Sequence, residues 1–173
     1  MPVLKMNASQ FARFHLALAQ GFKPALLRGL QAGAQRAVAY LVDRTGIVPP
    51  ANPNGVGSGG AVNTGDFRRR WRMRPMPDGA VISNDHPAGD VIEHGRRPGT
   101  MPPREPIARW AQRRLGLPRA EADSVGYVIA RAIGNRGLIG RKILTAQEAQ
   151  DRISELVTRE MFFELEREMK RRR

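Results

Sequence analysis

The chain has 173 residues, of which 41% are hydrophobic, and it carries a formal net charge of +13. This length allows one well-buried core and is short for two, so we expect a single domain over residues 1–173. The chain contains no cysteine and no run of about 18 apolar residues, which excludes disulfides and thiolate metal sites and predicts no membrane partner. The amino terminus lacks a signal-peptide core, so we expect synthesis in a reducing cytoplasm.

The positive charge is spread over the first two thirds of the chain and is densest in residues 63–75 and in the segment around Trp110. Such a surface attracts polyanions or acidic protein partners. Charge alone does not choose between these two classes of partner.

Two helices are expected near the amino terminus, separated by Gly21 and Pro24. Ser9 is predicted to cap the first helix, and the second should stop at Thr45-Gly46. The apolar stripe of the first helix comprises Phe11, Phe14 and Leu18, and that of the second comprises Leu27, Leu30, Ala34, Val38 and Leu41.

Residues 51–62 are rich in Asn, Pro, Gly and Ser and carry no charge. This composition predicts a flexible loop. Because a loop of this length in a small protein often serves a function, we expect it to become ordered against a partner.

Alternation of apolar and charged residues predicts a two-stranded ribbon after this loop. Phe67, Trp71 and Met73 share one face of the expected first strand, a turn follows over Pro75–Gly79, and Ala80–Asn84 return as the second strand. Arg69 interrupts this apolar face, and the other face would be lined by Arg68, Arg70, Arg72 and Arg74. The five arginines of this segment, which fall within seven residues, are Arg68, Arg69, Arg70, Arg72 and Arg74.

Five neighbouring arginines repel one another and call for counter-charge. They are expected to contact nucleic-acid phosphates, to pair with acidic groups of a neighbouring subunit, or to remain solvated. Because Trp71 has the parity of the core face, contact with a nucleic-acid backbone is favoured over reading of bases.

The second half of the chain is predicted to be mostly helical. Pro106 should open a helix over Ile107–Leu115 with Ile107, Trp110, Ala111 and Leu115 facing inward, Gly116 should end it, and another helix should cover about Ala120–Ile133. A capping box at Thr145–Glu148 should start a long final helix that ends near Lys170. Its apolar stripe comprises Ile153, Leu156, Val157, Met161, Leu165 and Met169.

The adjacent Phe162 and Phe163 widen the apolar arc of this final helix, which predicts contact with a second element or subunit. Together the elements predict an α+β fold. In it, a small antiparallel β-sheet packs against a long N-terminal helix, short helices and a long C-terminal helix.

Few residues suggest catalysis. His86 and His94 could form a metal site with Asp90 and Glu93, or a nuclease could use Asp85, Asp90 and Glu93, but the flanking prolines and glycines predict a loop without recognisable ligand spacing. We expect instead that Glu93 binds backbone N–H groups or an arginine of the ribbon. Neither a nucleophile elbow nor a phosphate-binding loop is present, so we predict no enzyme, cofactor or metal.

The order of several short motifs is informative as a set. They are Thr64-Gly65-Asp66-Phe67-Arg68-Arg69-Arg70-Trp71, Ile82-Ser83-Asn84, Val91-Ile92-Glu93-His94-Gly95, Pro102-Pro103, Ile107-Ala108-Arg109-Trp110, Ala130-Arg131-Ala132-Ile133 and Arg136-Gly137-Leu138. With a long final helix after them, they resemble the tail-completion and neck (head-tail joining) proteins of long-tailed bacteriophages, the minor tail protein Z family. One departure is that Ala88-Gly89 stands where the family usually has Tyr-Ala.

The resemblance implies a structural virion protein without enzymatic activity, assembled in the bacterial host cytoplasm and located in the phage neck. It implies a ring of copies, expected to be a hexamer, that joins tail to head around the DNA channel. Its partners would be neighbouring neck or adaptor proteins, tail terminator proteins and, through nonspecific contact, packaged DNA.

On this reading the ribbon arginines face the DNA channel or an acidic partner. The subunit interface would include Phe162, Phe163, Glu93, Arg96 and Arg97. The alternative is a free-standing basic protein that binds nucleic acid without sequence preference.

Overall fold

The computed structural model describes residues 5–46 and 64–173, so the predicted loop at 51–62 lies outside the described residues. The described part is α+β, as predicted, with seven helices and two antiparallel two-stranded sheets. The elements are α1 (Ala8–Ala19), α2 (Lys23–Thr45), α3 (Asp66–Arg69), β1 (Trp71–Met76), β2 (Gly79–Asn84), α4 (Gly89–His94), β3 (Gly95–Arg96), α5 (Arg104–Leu115), α6 (Arg119–Arg136), β4 (Leu138–Ile139) and α7 (Gln147–Arg171). None of these helices is long and apolar enough to cross a membrane.

Contacts along the chain divide it into two compact units. The first comprises Met1–Arg44, Arg70–Asp85 and Ile143–Arg173, and the second comprises Thr45–Arg69 and His86–Lys142. The first therefore holds α1, α2, the β1–β2 hairpin and α7, and the second holds α3 to α6 with β3 and β4. The prediction of one domain stays a prediction.

The first unit is built on close contact between α2 and α7. A Cβ added at Gly29 would lie 2.5 Å from Met161 Cα, and one added at Gly33 would lie 2.5 Å from Val157 Cα. Since the residue number rises on α2 as it falls on α7, the two helices run antiparallel. Only glycine permits this approach, because any side chain would overlap the facing backbone.

Small residues explain where the predicted stripe of α2 was wrong. Its buried residues include a series at every fourth position, Ala25, Gly29, Gly33, Ala37 and Leu41, and also Leu26, Ala34 and Thr45. Of the predicted stripe, Ala34 and Leu41 are buried and Leu27, Leu30 and Val38 are half-buried, because Gly29 and Gly33 make the closest approach to α7. On α7 the stripe is confirmed except for Met169, which is 38% exposed.

Ion pairs flank the same contact. The carboxylate of Glu168 accepts a hydrogen bond of 3.1 Å from Arg28 Nη2, and Glu160 lies 2.9 Å from Arg36 Nε. Both carboxylates belong to residues buried to more than nine tenths. Burial of an unpaired carboxylate would destabilise the fold, so Arg28 and Arg36 offset the cost of burying Glu168 and Glu160.

Both predicted helix caps were wrong in detail. At α1 the cap is Asn7, whose Oδ1 accepts from Gln10 N at 2.9 Å while Gln10 Oε1 accepts from Asn7 N at 2.9 Å. Ser9 only donates to Asn7 Oδ1. At α7 the cap is Ala146, which makes no side-chain cap bond.

The expected capping box at Thr145–Glu148 is absent, because the side chain of Glu148 binds Arg44 instead. Its carboxylate lies 2.5 Å from Arg44 Nη1, and Arg44 Nε also donates to Ile143 O at 3.0 Å. The end of α2 thus supplies the charge that holds the start of α7. The break at Gly21, with φ of +76°, and the end of α2 at Thr45 are confirmed.

In the second unit α5 and α6 pack against each other through small residues. A Cβ added at Gly126 would lie 2.9 Å from Ala108 Cβ. Gly116 ends α5 in the left-handed conformation, as predicted. Leu115, predicted to face inward, is instead 52% exposed.

Two of the motifs quoted above meet in this unit. The segment Val91–Gly95 was predicted as a loop but includes most of α4. Strand β3 follows α4 directly and pairs with β4, so that Arg96 lies opposite Leu138. The backbones cross closely, because a Cβ at Gly140 would lie 2.4 Å from Glu93 O. Arg141 N donates to Ile92 O at 2.8 Å, and burial lowers the pKa of the Arg141 guanidinium.

We predict that the double substitution Gly29→Ala and Gly33→Ala lowers the free energy of unfolding by about 2 to 4 kcal/mol. Each methyl group forces α2 and α7 apart, which outweighs the gain of about 1 kcal/mol in helix propensity per site. Urea denaturation followed by circular dichroism measures this. Gly79→Ala is the matched control, because it adds the same methyl group into open space and should leave the midpoint nearly unchanged; equal effects would contradict the close contact.

We also predict an acid-sensitive contribution from Glu168. Burial alone would raise the pKa of this carboxyl, but hydrogen bonds from Arg172 and Arg171 outweigh burial and hold the pKa below its ordinary value of 4.5. A lowered pKa in the folded state stabilises the fold above the unfolded-state pKa, and this stabilisation is lost as pH falls through the folded-state pKa.

The variant Glu168→Gln should therefore lose stability at neutral pH and show a flatter decline on acidification below about pH 4.5. Thermal unfolding at a series of pH values measures the difference. Glu121→Gln removes the same charge from an exposed site on α6 and should keep the wild-type slope. If the stability of Glu168→Gln changes with pH in parallel with that of the wild type, the acid-sensitive contribution assigned to Glu168 is refuted.

Candidate polyanion interface

The hairpin β1–β2 belongs to the first unit and has a simple register. Trp71 lies opposite Asn84, Arg72 opposite Ser83, and Arg74 opposite Val81. The return strand is confirmed, and the turn is reduced to Pro77-Asp78 because pairing continues to Met76 and Gly79. Gln31 Nε2 of α2 donates to Met76 O at 3.5 Å, which links the hairpin tip to the long helix.

The two faces of the hairpin differ sharply. Trp71 is buried at 7% exposure, and Met73 and Ile82 are half-buried on the same face. The opposite face is exposed to solvent. We call it the arginine face, and it consists of Arg72, Arg74, Met76, Val81 and Ser83.

The strand predicted to begin at Phe67 was wrong. Residues Asp66–Arg69 form the short helix α3, in which Phe67 is buried at 5% exposure. Thr64 Oγ1 accepts from Asp66 N at 3.3 Å, and Asp66 places a negative charge in the first turn, so the local sequence starts a helix. Arg68 and Arg69 therefore lie on α3 in the second unit.

The three remaining arginines of the run, Arg70, Arg72 and Arg74, belong to the first unit. Arg70 Nη1 lies 3.5 Å from Asp85 Oδ1, at the base of the hairpin. In the second unit, Arg69 Nη1 donates to Thr64 O at 3.2 Å, and Arg68 is half-buried. Arg69 and Arg70 thus bind groups within their own units.

Arg72 and Arg74 differ from the other three. Both are exposed, and within residues 5–46 and 64–173 neither forms a hydrogen bond or an ion pair. Neither strand of the hairpin contains an aspartate or glutamate, and Asp78 lies in the turn. The arginine face is therefore a small surface of uncompensated positive charge on a paired, rigid backbone.

The predicted interface residues are placed differently from one another. Phe163 is 60% exposed, whereas Phe162 is partly covered by the Arg13 guanidinium 5.0 Å from its ring centre. Arg97 is exposed, and Arg96 Nη2 donates to Thr100 O at 2.6 Å. Glu93 is only 9% exposed, so its carboxylate is largely removed from any outer surface.

Among the described residues, those considered for a metal site do not form one cluster. His86 Nε2 lies 3.5 Å from Asp66 Oδ2, and the His86 ring stands edge-on to Phe67 at 5.5 Å. His94 Nδ1 lies 3.1 Å from Asp90 Oδ1. No cluster of three potential metal ligands occurs anywhere in the described segments.

Sequence reasoning missed two features of the first unit. Ser83 lies beside Arg72 on the exposed face. The alternation of side chains along the return strand could have predicted this position. An open groove of about 910 Å³ also lies between α1 and α7. It is lined in part by Phe162, Phe163 and the buried Thr158, whose Oγ1 has no hydrogen-bond partner in the described part of the chain.

Comparison of the chain with protein-family models, with curated proteins and with solved structures found no significant match.

We predict that arginine-specific modification by phenylglyoxal reaches Arg72 and Arg74 several-fold faster than Arg44. The side chain of Arg44 is only 17% exposed and is engaged by Glu148 and by Ile143 O, whereas the two hairpin arginines are exposed. Peptide mapping by mass spectrometry after graded reaction measures the rates. Arg113, exposed on α5, serves as the reference for a fast site, and slow modification of Arg72 would show that its face is covered.

Proposed function

We propose that this protein is a structural virion protein of a tailed phage, a tail-completion protein in the ring that joins tail to head. The order of short motifs supports this proposal through their resemblance to the neck proteins. The observation that carries it is the arginine face, whose Arg72 and Arg74 have no acidic partner among the described residues. A ring around a DNA channel, with acidic subunits nearby, supplies such a partner.

Repetition in a ring would multiply a weak local interaction. Two exposed guanidinium groups per copy give little affinity alone, but a closed ring places the same face at regular angular positions. The counterpart of this face is either packaged DNA or an acidic patch on a neighbouring subunit. Both are anionic, and neither requires a sequence-specific pocket.

Exposed apolar residues of the first unit fit contact with neighbouring copies. Phe163 on α7 is 60% exposed, and Phe11 and Leu16 on α1 are 56% and 58% exposed. Aromatic residues are enriched in subunit interfaces because they bury a large area with little loss of side-chain freedom. The ring would cover such residues on assembly.

A second candidate function is a free-standing basic protein that binds nucleic acid nonspecifically. The net charge of +13 and the exposure of Arg72 and Arg74 favour it. It requires tight, salt-sensitive binding by a monomer or dimer. The ring proposal requires weak binding by the isolated chain and assembly into a larger species at the phage neck.

Imaging of purified virions at subnanometre resolution tests the proposal. We expect a ring at the head-tail joint whose subunit density accommodates the long antiparallel α2–α7 pair and the hairpin. Mass spectrometry of the same particles should detect the chain at a few copies per virion. Particles that lack this chain, or that carry it outside the neck, would overturn the proposal and favour the free-standing binder.

A further inference from the structure

We propose that the arginine face binds the phosphodiester backbone of nucleic acid, without sequence preference, and not an acidic protein surface. The proposal rests on the proposed function for its setting, because packaged DNA is the nucleic acid that a neck ring meets. Its chemistry is argued from the hairpin alone.

The spacing of Arg72 and Arg74 suits hydrogen bonding to phosphate oxygens. Arg72 and Arg74 are two residues apart on β1, so both side chains leave the same face and their Cα atoms are about 6.7 Å apart. A guanidinium presents a planar fork of N–H donors that matches two oxygens of one phosphate. Antiparallel pairing with β2 holds the spacing between the two forks.

The hydroxyl group of Ser83 is a neutral hydrogen-bond donor beside the guanidinium of Arg72. Ser83 is exposed directly opposite Arg72, and side chains at such paired positions have Cβ atoms about 5 Å apart. Within the described residues its hydroxyl makes no hydrogen bond. Hydroxyl groups next to arginines are common donors to phosphate oxygens, so Arg72 and Ser83 can hold one phosphate together.

The composition of the face argues against a protein partner. Stable protein interfaces have an apolar, often aromatic core. On the arginine face the apolar members are Val81, at 40% exposure, and Met76 at the turn, at 37%, and the aromatic Trp71 is buried on the other side. A backbone contact to nucleic acid needs cations and hydroxyl groups only.

The burial of Trp71 excludes base reading from this face. A nucleotide base would stack on an exposed aromatic ring, and the indole of Trp71 is only 7% exposed. Binding should therefore depend on charge and salt and not on sequence. Of the acidic residues described in and next to the hairpin, Asp85 lies beside Arg70 and Asp78 lies in the turn, so neither stands opposite Arg72.

The test uses the full chain and fluorescence anisotropy with labelled duplex DNA of two unrelated sequences between 50 and 200 mM salt. We expect equal affinities for both sequences. The double variant Arg72→Gln and Arg74→Gln should reduce the slope of log affinity against log salt by about 2, since each lost phosphate contact removes about 1. Ser83→Ala should weaken binding by about tenfold at constant slope.

Arg113→Gln with Arg114→Gln is the matched control, because it removes the same charge from exposed positions of α5. This control should change the salt slope by much less than the hairpin variant. Circular dichroism melting of each variant separates loss of binding from loss of fold. A wild-type slope in the hairpin variant, a clear preference for one sequence, or equal competition by polyglutamate would overturn the proposal.

These outcomes are independent of the ring. DNA binding that depends on the arginine face, in a protein absent from the virion neck, would refute the proposed function and leave this site intact. A neck ring whose subunits bind DNA equally well without Arg72 and Arg74 would refute only the site.

Discussion

Close contact between α2 and α7 is the constraint on which the first unit depends. Gly29 and Gly33 bring the backbones so near that the Cα atoms of Met161 and Val157 occupy the space of a side chain. Dispersion contacts fall off steeply with distance, so the facing backbones gain contacts that a side chain larger than hydrogen at these two positions would prevent. Gln31 Nε2 of α2 donates to Met76 O at 3.5 Å, which connects the tip of the hairpin to this helix.

The distribution of acidic residues follows from the same contact and explains the candidate site. The carboxylates of Glu160 and Glu168 on α7 are engaged by arginines of α2, and Glu148 is engaged by Arg44. The described hairpin strands hold no acidic residue. The positive charge of the hairpin is therefore left for a partner, which is the physical basis of both the proposed function and the proposed phosphate contact.

The sequence predicted the fold class, most helix ends and the return strand, because Gly21, Gly116 and the hairpin turn act through local backbone preferences. It failed where tertiary contacts compete with local ones. Glu148 binds Arg44 instead of capping α7, and Gly29 and Gly33 of α2 face α7 where Leu27 and Leu30 were expected. For the site, alternation correctly marked Arg72 and Arg74, but α3 took Arg68 and Arg69 out of the predicted ribbon, since a run of three arginines carries no periodicity.

Amide hydrogen exchange on the isolated protein tests most directly whether the α2–α7 pair supports this unit. We predict that the slowest-exchanging amides lie between Ala25 and Ala37 on α2 and between Ile153 and Leu165 on α7, with α1 exchanging much faster. Exchange in α2 and α7 as fast as in α1 would contradict the account, because the hairpin and its arginine face would then lack a rigid support.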